Sequence, residues 1–434
     1  MINLITENYW LLFVLVFLLV FAIIFRKSIE YGLYLSAFLL PLEDLTILFT
    51  DFTLIRFIII IIFMVWLLQI ALKSRQPNVP RLITPLILLI VLSGLSYFWS
   101  QNTRANLSSL FSFTQLILWL IMTIDILDDE NKIKTAAKFY IIGSLVVSGI
   151  AFVLFYTGGL EEANRMASIE GQNPNGFSRS VGVAFIMLVF SMYSGYFFRN
   201  KLFNIMGIVV TGLVIILAVS RGTYVAVIIP LIIFLLGSDL KHKFSIAIAL
   251  ILLFVFLFTF FEPFVTDVIM PRIIGIEGLG GRRTIWTVSL SMIRENFLSG
   301  VGFGNFPVVY GFYSVNLRGW TATSGSHNVY IRIFAELGIA GIFLFLLFHL
   351  ILFKAIFQYP KSSKIKTFLF AFFSYLVVGG MSTDLLLSKY YIFGFALIIS
   401  FLQIKENFTE KSHDQDLSYH YSNLHKTAYD TSAR

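Results

Sequence analysis

Long apolar runs, broken at short intervals by small polar clusters, pattern this chain from near its start to about residue 404. A run of about 18 or more apolar residues crosses a bilayer core of roughly 30 Å as one helix. Only helices and closed barrels satisfy their backbone polar groups in lipid, and unbroken rather than alternating runs exclude a barrel. About thirteen spans are predicted, near 8–25, 30–46, 54–72, 82–99, 107–125, 137–157, 179–198, 202–219, 222–237, 244–261, 337–357, 366–383 and 389–404. The second is the weakest, because Pro41, Glu43 and Asp44 interrupt it. The expected fold class is therefore all-α integral membrane, a polytopic bundle of about 12–13 transmembrane helices. A long polar interval divides it into a helical region 1–261, an outward loop 262–336, closing helices 337–404 and a polar cytoplasmic tail 405–434. The start lacks basic residues and a small-residue cleavage site, so no cleavable signal peptide is expected.

Composition agrees: 58% of residues are hydrophobic and 13% charged, against roughly a quarter charged in soluble domains. With no cysteine, disulfides, cysteine-ligated metals and a thiol nucleophile are excluded. Charge adds a direction. The lysine-bearing connections Arg26–Lys27, Lys73–Arg81, Lys132–Lys138, Arg199–Lys201, Lys241–Lys243 and Lys354–Lys366 fall at alternate turns, which marks that side as cytoplasmic. Asp125, Asp128, Asp129 and Glu130 lie among them and read as a solvated acidic run. Arginine takes the opposite side, and residues 262–336 hold six arginines and no lysine. A guanidinium offers a planar fork suited to paired phosphate oxygens. About half of these outer arginines are explained equally well as headgroup contacts.

Candidate chemistry gathers on that outer side. Arg221 in VSRGTY sits at the break between two apolar runs, where an ionisable residue is costly and points to function; the amides of Gly222 and Thr223 are expected to face an anion there. Arg165 and Arg179 flank GQNPNGF (171–177), a segment equally well read as a plain turn. Arg282 and Arg283 occur in GGRRTIW (280–286), at the expected start of a loop helix, and LSGVGFGNF (298–306) adds a glycine-rich turn. His327 in SGSHNVYIRIFAELGIAG (324–341) stands at a loop-to-helix junction, and an imidazole near pKa 6.5 suits proton transfer. His242, His349, His413, His420 and His425 lie in spans, inner turns or the tail. Glu336 either pairs with an arginine or solvates the entrance of the next span. The glycine-rich turn lacks the Lys-[Ser/Thr] of a Walker loop, no His-Glu-x-x-His occurs, and nothing recommends nucleic-acid binding.

The Gly281-Arg282…Trp286 register, the Gly-x-Gly-x-Gly-Asn-Phe turn, and His327-Asn328 followed by Glu-Leu-Gly-x-x-Gly resemble bacterial O-antigen polymerases and O-antigen ligases. The specific motifs cover roughly residues 165–345. The resemblance implies a C-type glycosyltransferase-like bundle with an outer catalytic loop, without metal or cofactor. It implies a catalytic set of His327, Arg221 and Arg282, with Arg179, Arg165, Arg283, Asn328 and Glu336 binding substrate. The implied donor is a glycan on undecaprenyl pyrophosphate; the acceptor is a second lipid-linked repeat unit for a polymerase, or lipid A–core for a ligase. Membrane lipids, a chain-length regulator and a flippase are the other implied partners. The setting is the bacterial cytoplasmic (inner) membrane, with the loop toward the periplasm or outer surface. Polymerase is favoured over ligase. A transporter of the same lipid is disfavoured, because no internal repeat is evident and polar residues concentrate outside the spans.

Overall fold

Six helices among the described residues are long and apolar enough to cross a membrane, and three shorter apolar helices accompany them. The computed structural model describes residues 28–49, 52–157, 166–167, 173–237, 259, 270, 280–314, 325–360 and 363–404. The expected spans 8–25 and 244–261, the turns at 26–27 and 241–243, Arg165, and the tail 405–434 lie outside them. In chain order the helices are α1 (Ile29–Leu39), α2 (Leu54–Ala71), α3 (Thr84–Leu95), α4 (Thr103–Ile126), α5 (Glu130–Tyr156), α6 (Pro174–Ser194) and α7 (Lys201–Leu217). There follow α8 (Arg221–Gly237), α9 (Gly280–Glu295), α10 (Phe306–Ser314), α11 (Val329–Phe357), α12 (Lys364–Gly380) and α13 (Lys389–Ile404). The weak second span ends as expected: α1 passes into a 3-10 turn through Pro41, Glu43 and Asp44, then a small antiparallel pair, Ile47–Phe49 with Phe52–Thr53. The class is all-α polytopic membrane protein.

Asx and serine caps begin six of the helices among the described residues. Asn102, Asp129, Asn173, Asn200, Asn328 and Ser363 each accept a hydrogen bond from an amide in the turn that follows. Such amides have no partner within the helix, and leaving them bare is most costly beside lipid.

The bundle has two chemically distinct ends. At one, Lys134 lies over the Tyr196 ring and Lys364 over the Tyr193 ring, while Lys132 pairs with Glu30 at 2.9 Å. The acidic run there is solvated as expected at Asp128, Asp129 and Glu130, each of which also has a partner, and departs from that at Asp125. Asp125 is buried against Arg75 at 2.8 Å and also accepts from Trp66 Nε1; Asp129 caps α5; Asp128 and Glu130 pair with Lys132 and Lys134. At the other end lie Arg179, Arg332 and the turn between α12 and α13. Alternate turns thus meet at opposite ends, as the lysine pattern requires. Single cysteines should report the orientation, since the chain has none of its own. Cysteine at Ser299, exposed at the arginine end, should react with an impermeant thiol reagent on outer-permeabilised cells. Cysteine at Ser74, exposed at the lysine end, should react only after lysis. The reverse pattern would invert the orientation. Ser314 is buried and makes a poor reporter.

The outer segment docks through a broken helix. Gly338 sits inside α11 at φ 63°, ψ −160°, so the helix, which begins at Val329 rather than at the expected 337, breaks there. The break frees the carbonyls of Ala335 and Glu336, which take the amides of Val301 and Gly302, both at 2.9 Å. Ile339 N, released from its own helix, donates to Phe297 O at 2.9 Å. Gly300 and Gly338 must be glycine: a Cβ on either would lie 2.2–2.3 Å from backbone of the other strand. Asn305 then binds the backbone of Asn102, and Asn106 reaches Phe303 O at 3.1 Å. The glycine-rich turn is a clamp that seats the outer segment on α4 and α11.

Candidate functional site

His327 lies at the centre of the arginine end, held in an unusual backbone state. Its φ is 50°, a left-handed conformation that few non-glycine residues adopt. Neighbours on both sides keep it there. Ser326 Oγ donates to Asn328 O at 2.7 Å and accepts from Asn328 N at 3.2 Å. Ser326 O accepts from Trp286 Nε1 of α9 at 3.3 Å, and the Asn328 side chain caps α11 through Tyr330 N and Ile331 N. The imidazole is half-buried. Burial first, then the charges of Arg282 and Arg179, hold its pKa below the usual 6.5; Asp384 opposes them. The result is a neutral imidazole at neutral pH, ready to accept a proton.

Beside it stands an acidic and basic relay. Arg332 binds Asp384 at 2.6 Å through Nη1 and Glu336 at 3.2 Å through Nε. Glu336, fully buried, accepts from Phe306 N at 3.1 Å at the start of α10. The relay therefore joins the glycine clamp to the turn that carries Asp384. Arg179, only 1% exposed, grips that same turn from the opposite side: Nη2 donates to Ser382 Oγ at 2.7 Å and Nη1 to Thr383 Oγ1. Gly222 lets its guanidinium approach, since a Cβ there would lie 2.6 Å from Nη2. Ser178 and Thr223 hydroxyls, 2.9 Å apart, tie α6 to the start of α8 and so place Arg221 at the edge of this cluster.

His327, Arg282 and Arg179 are thus brought together, with Arg221 adjoining through Gly222. Several expectations are corrected in detail. Arg179 commits both Nη groups to the 382–383 turn, Nη1 also reaching Asn175 O, and leaves Nε buried without a partner, so it holds the turn rather than presenting a free fork. Asn328 serves as a helix cap, and Glu336 takes the first of its two expected readings, pairing with Arg332 of its own helix rather than solvating the entrance of the span. Thr223 N is bonded to Ser220 O, so it does not await an anion. Arg283 is exposed, turned away from its neighbour Arg282 as helix geometry requires. Arg165 lies outside the described residues. Asp384 was not singled out, nor were Ser382 and Thr383 beside it. The available signal was an acidic residue at the outer end of an apolar run, in MSTDLLL. Among the described residues no group of three or more histidines and carboxylates is placed to hold a metal ion.

The outer segment and the helices flanking it are where a known family matches. Residues 206–346 match the family model of O-antigen ligase. This finding supports the O-antigen polymerase and ligase family, the one the motifs resemble. The matched segment carries Arg221, Arg282, His327, Arg332 and Glu336, while Arg179 and Asp384 lie outside it. The family suggests a glycosyltransferase-like enzyme of surface polysaccharide biosynthesis in a membrane. No curated protein matches the chain.

Proposed function

We propose that this protein polymerises lipid-linked oligosaccharide repeat units, moving glycan from undecaprenyl pyrophosphate to a sugar hydroxyl. One observation carries the reading: a half-buried histidine at a strained turn, within electrostatic reach of Arg282, Arg179 and Asp384. Arg282 and Arg221 take the donor pyrophosphate and stabilise the negative charge that grows on it as the glycosidic bond breaks. His327 accepts the proton of the acceptor hydroxyl, whose oxygen forms the new bond to the anomeric carbon. The electron pair of the breaking bond leaves with the pyrophosphate. Direct displacement on the face opposite the leaving group inverts that carbon. Asp384 steadies the imidazolium while it carries the proton. The arginines neutralise the pyrophosphate, so the reaction proceeds without metal. The enzyme works in the bacterial cytoplasmic membrane with the site facing outward.

A second reading with the same site is a ligase, whose acceptor is lipid A–core; the matching family is compatible with either. Purified protein given only the lipid-linked repeat unit should release undecaprenyl pyrophosphate and build a ladder, without nucleotide sugar or added metal. Product only when lipid A–core is supplied would replace polymerase by ligase. Translocation of the lipid with no bond formed under either condition would overturn both readings. Arg221→Lys and Arg282→Lys keep charge but lose the fork, and each should slow transfer about a hundredfold or more. Near-normal product from Arg282→Lys would reduce it to a headgroup contact.

A further inference from the structure

A groove of about 610 Å³ runs between α11 and α12, roofed at the outer end by Leu290 and Ile293 of α9. On α11 its wall is the stripe Ile342, Leu346, Leu350 and Phe353, about 16 Å long at 1.5 Å per residue. Only two lining side chains carry polar atoms, and both donors are used internally. Tyr330 Oη donates to Val377 O at 3.2 Å, and His349 Nδ1 donates to Phe345 O at 2.8 Å. The wall offers a guest no unused donor, and its one unpaired acceptor, His349 Nε2, is buried behind apolar rings, so hydrocarbon fits it. Leu346 and Leu350 are 50% and 62% exposed, which leaves the groove open sideways to the bilayer. At about 30 Å³ per small group, the volume takes about 20 carbon-sized groups, a stretch of one chain rather than a fan of several.

The groove's side of α12 decides which substrate it serves. Val377 and Met381 line it, whereas Gly379 faces Arg179. Residues two apart on a helix point about 200° from each other, so the groove and Arg179 occupy opposite faces of α12. Arg221 belongs to α8, which packs on the Arg179 face through Gly222. A donor with its pyrophosphate at Arg221 places its own lipid on that face, and Arg282 meets the same pyrophosphate from the start of α9, about 12 Å along that helix from Leu290. The groove instead starts one turn from His327, at Tyr330, on the side of the proton acceptor. We propose that it takes the single hydrocarbon chain of the lipid-linked acceptor, with the donor's lipid on the opposite face of α12. This rests on the glycan-transfer reading above, and it gives the acceptor one chain, as a polymerase needs.

The test uses full-length protein in nanodiscs and a donor whose own acceptor hydroxyl is blocked. Two acceptors are compared: the repeat unit on a long isoprenyl pyrophosphate, and the same unit on a short water-soluble alkyl group. Wild type should prefer the long-chain acceptor by about tenfold in kcat/KM, the worth of about two buried methylenes. Leu346→Trp and Leu350→Trp, both at lipid-facing positions, should erase that preference by lowering the long-chain value alone. An unchanged short-chain value reports an intact protein. Equal losses with both acceptors would give the groove to the donor, and a surviving preference would leave it to bilayer lipid; either overturns the proposal. Wild type that transfers to neither acceptor would instead overturn the polymerase reading itself.

Discussion

Replacing His327 with asparagine should lower glycan transfer by about 10²–10⁴-fold, the range for loss of a positioned general base. Asparagine suits the comparison because it tolerates the left-handed φ of 50° better than alanine does, so the turn survives while the base is lost. Donor binding should persist, since the arginines hold the pyrophosphate. The pH profile gives a second reading of the same role. A general base works in its neutral form, so transfer should fall as pH drops through the histidine pKa. Burial, with Arg282 and Arg179, lowers that pKa, so the acid limb should lie below 6.5. Asp384→Asn removes the one opposing charge and should move the limb further down; Arg282→Gln should move it up. Full activity in His327→Asn, or a limb that ignores both charges, would remove His327 from the chemistry.

Glu336→Ala should destabilise the protein by about 1–3 kcal/mol, the cost of leaving the buried Phe306 amide unsatisfied while Arg332 keeps only Asp384. Glu336 is fully buried, it shares Arg332 with Asp384, and it accepts the first amide of α10. Removing it strips both Arg332 and α10 of an acceptor. Gly338→Ala should weaken the same joint by a different route. It forces a side chain onto φ 63° and sets a Cβ 2.2 Å from Leu298 O. Thermal melting in detergent should show lower midpoints for both variants. Gly311→Ala, whose Cβ would meet nothing within 4 Å, should melt as wild type or slightly above. If Gly338→Ala melts normally, the outer segment does not depend on the broken helix for its seat.

The apolar runs, by themselves, determined the class of this protein and most of its helices. Each span must satisfy its own backbone in lipid, so length and hydropathy suffice to locate it, and lysine placement pairs the turns at one end. The helix opening at GGRRTIW was legible because it follows a glycine-rich stretch, whereas the helix running from Val329 through a break at Gly338 was not, the span being expected to begin at 337. Within the site, His327 and Arg282 were visible because an imidazole and a guanidinium in an outer segment have few structural reasons to be there. Their surroundings were decided only by the tertiary structure. Asp384 lies 57 positions beyond His327 in the chain, and it reaches the site because Arg332 and Arg179 hold its turn from two sides. Arg179, Asn328 and Glu336 carry the same side-chain chemistry whether they bind substrate or hold the scaffold, and only their partners tell which. The glycine motif shows this most plainly. Its spacing invites a ligand cradle, yet its carbonyls and amides meet those of a helix broken at Gly338, and a contact between distant backbones leaves no pattern in either segment alone.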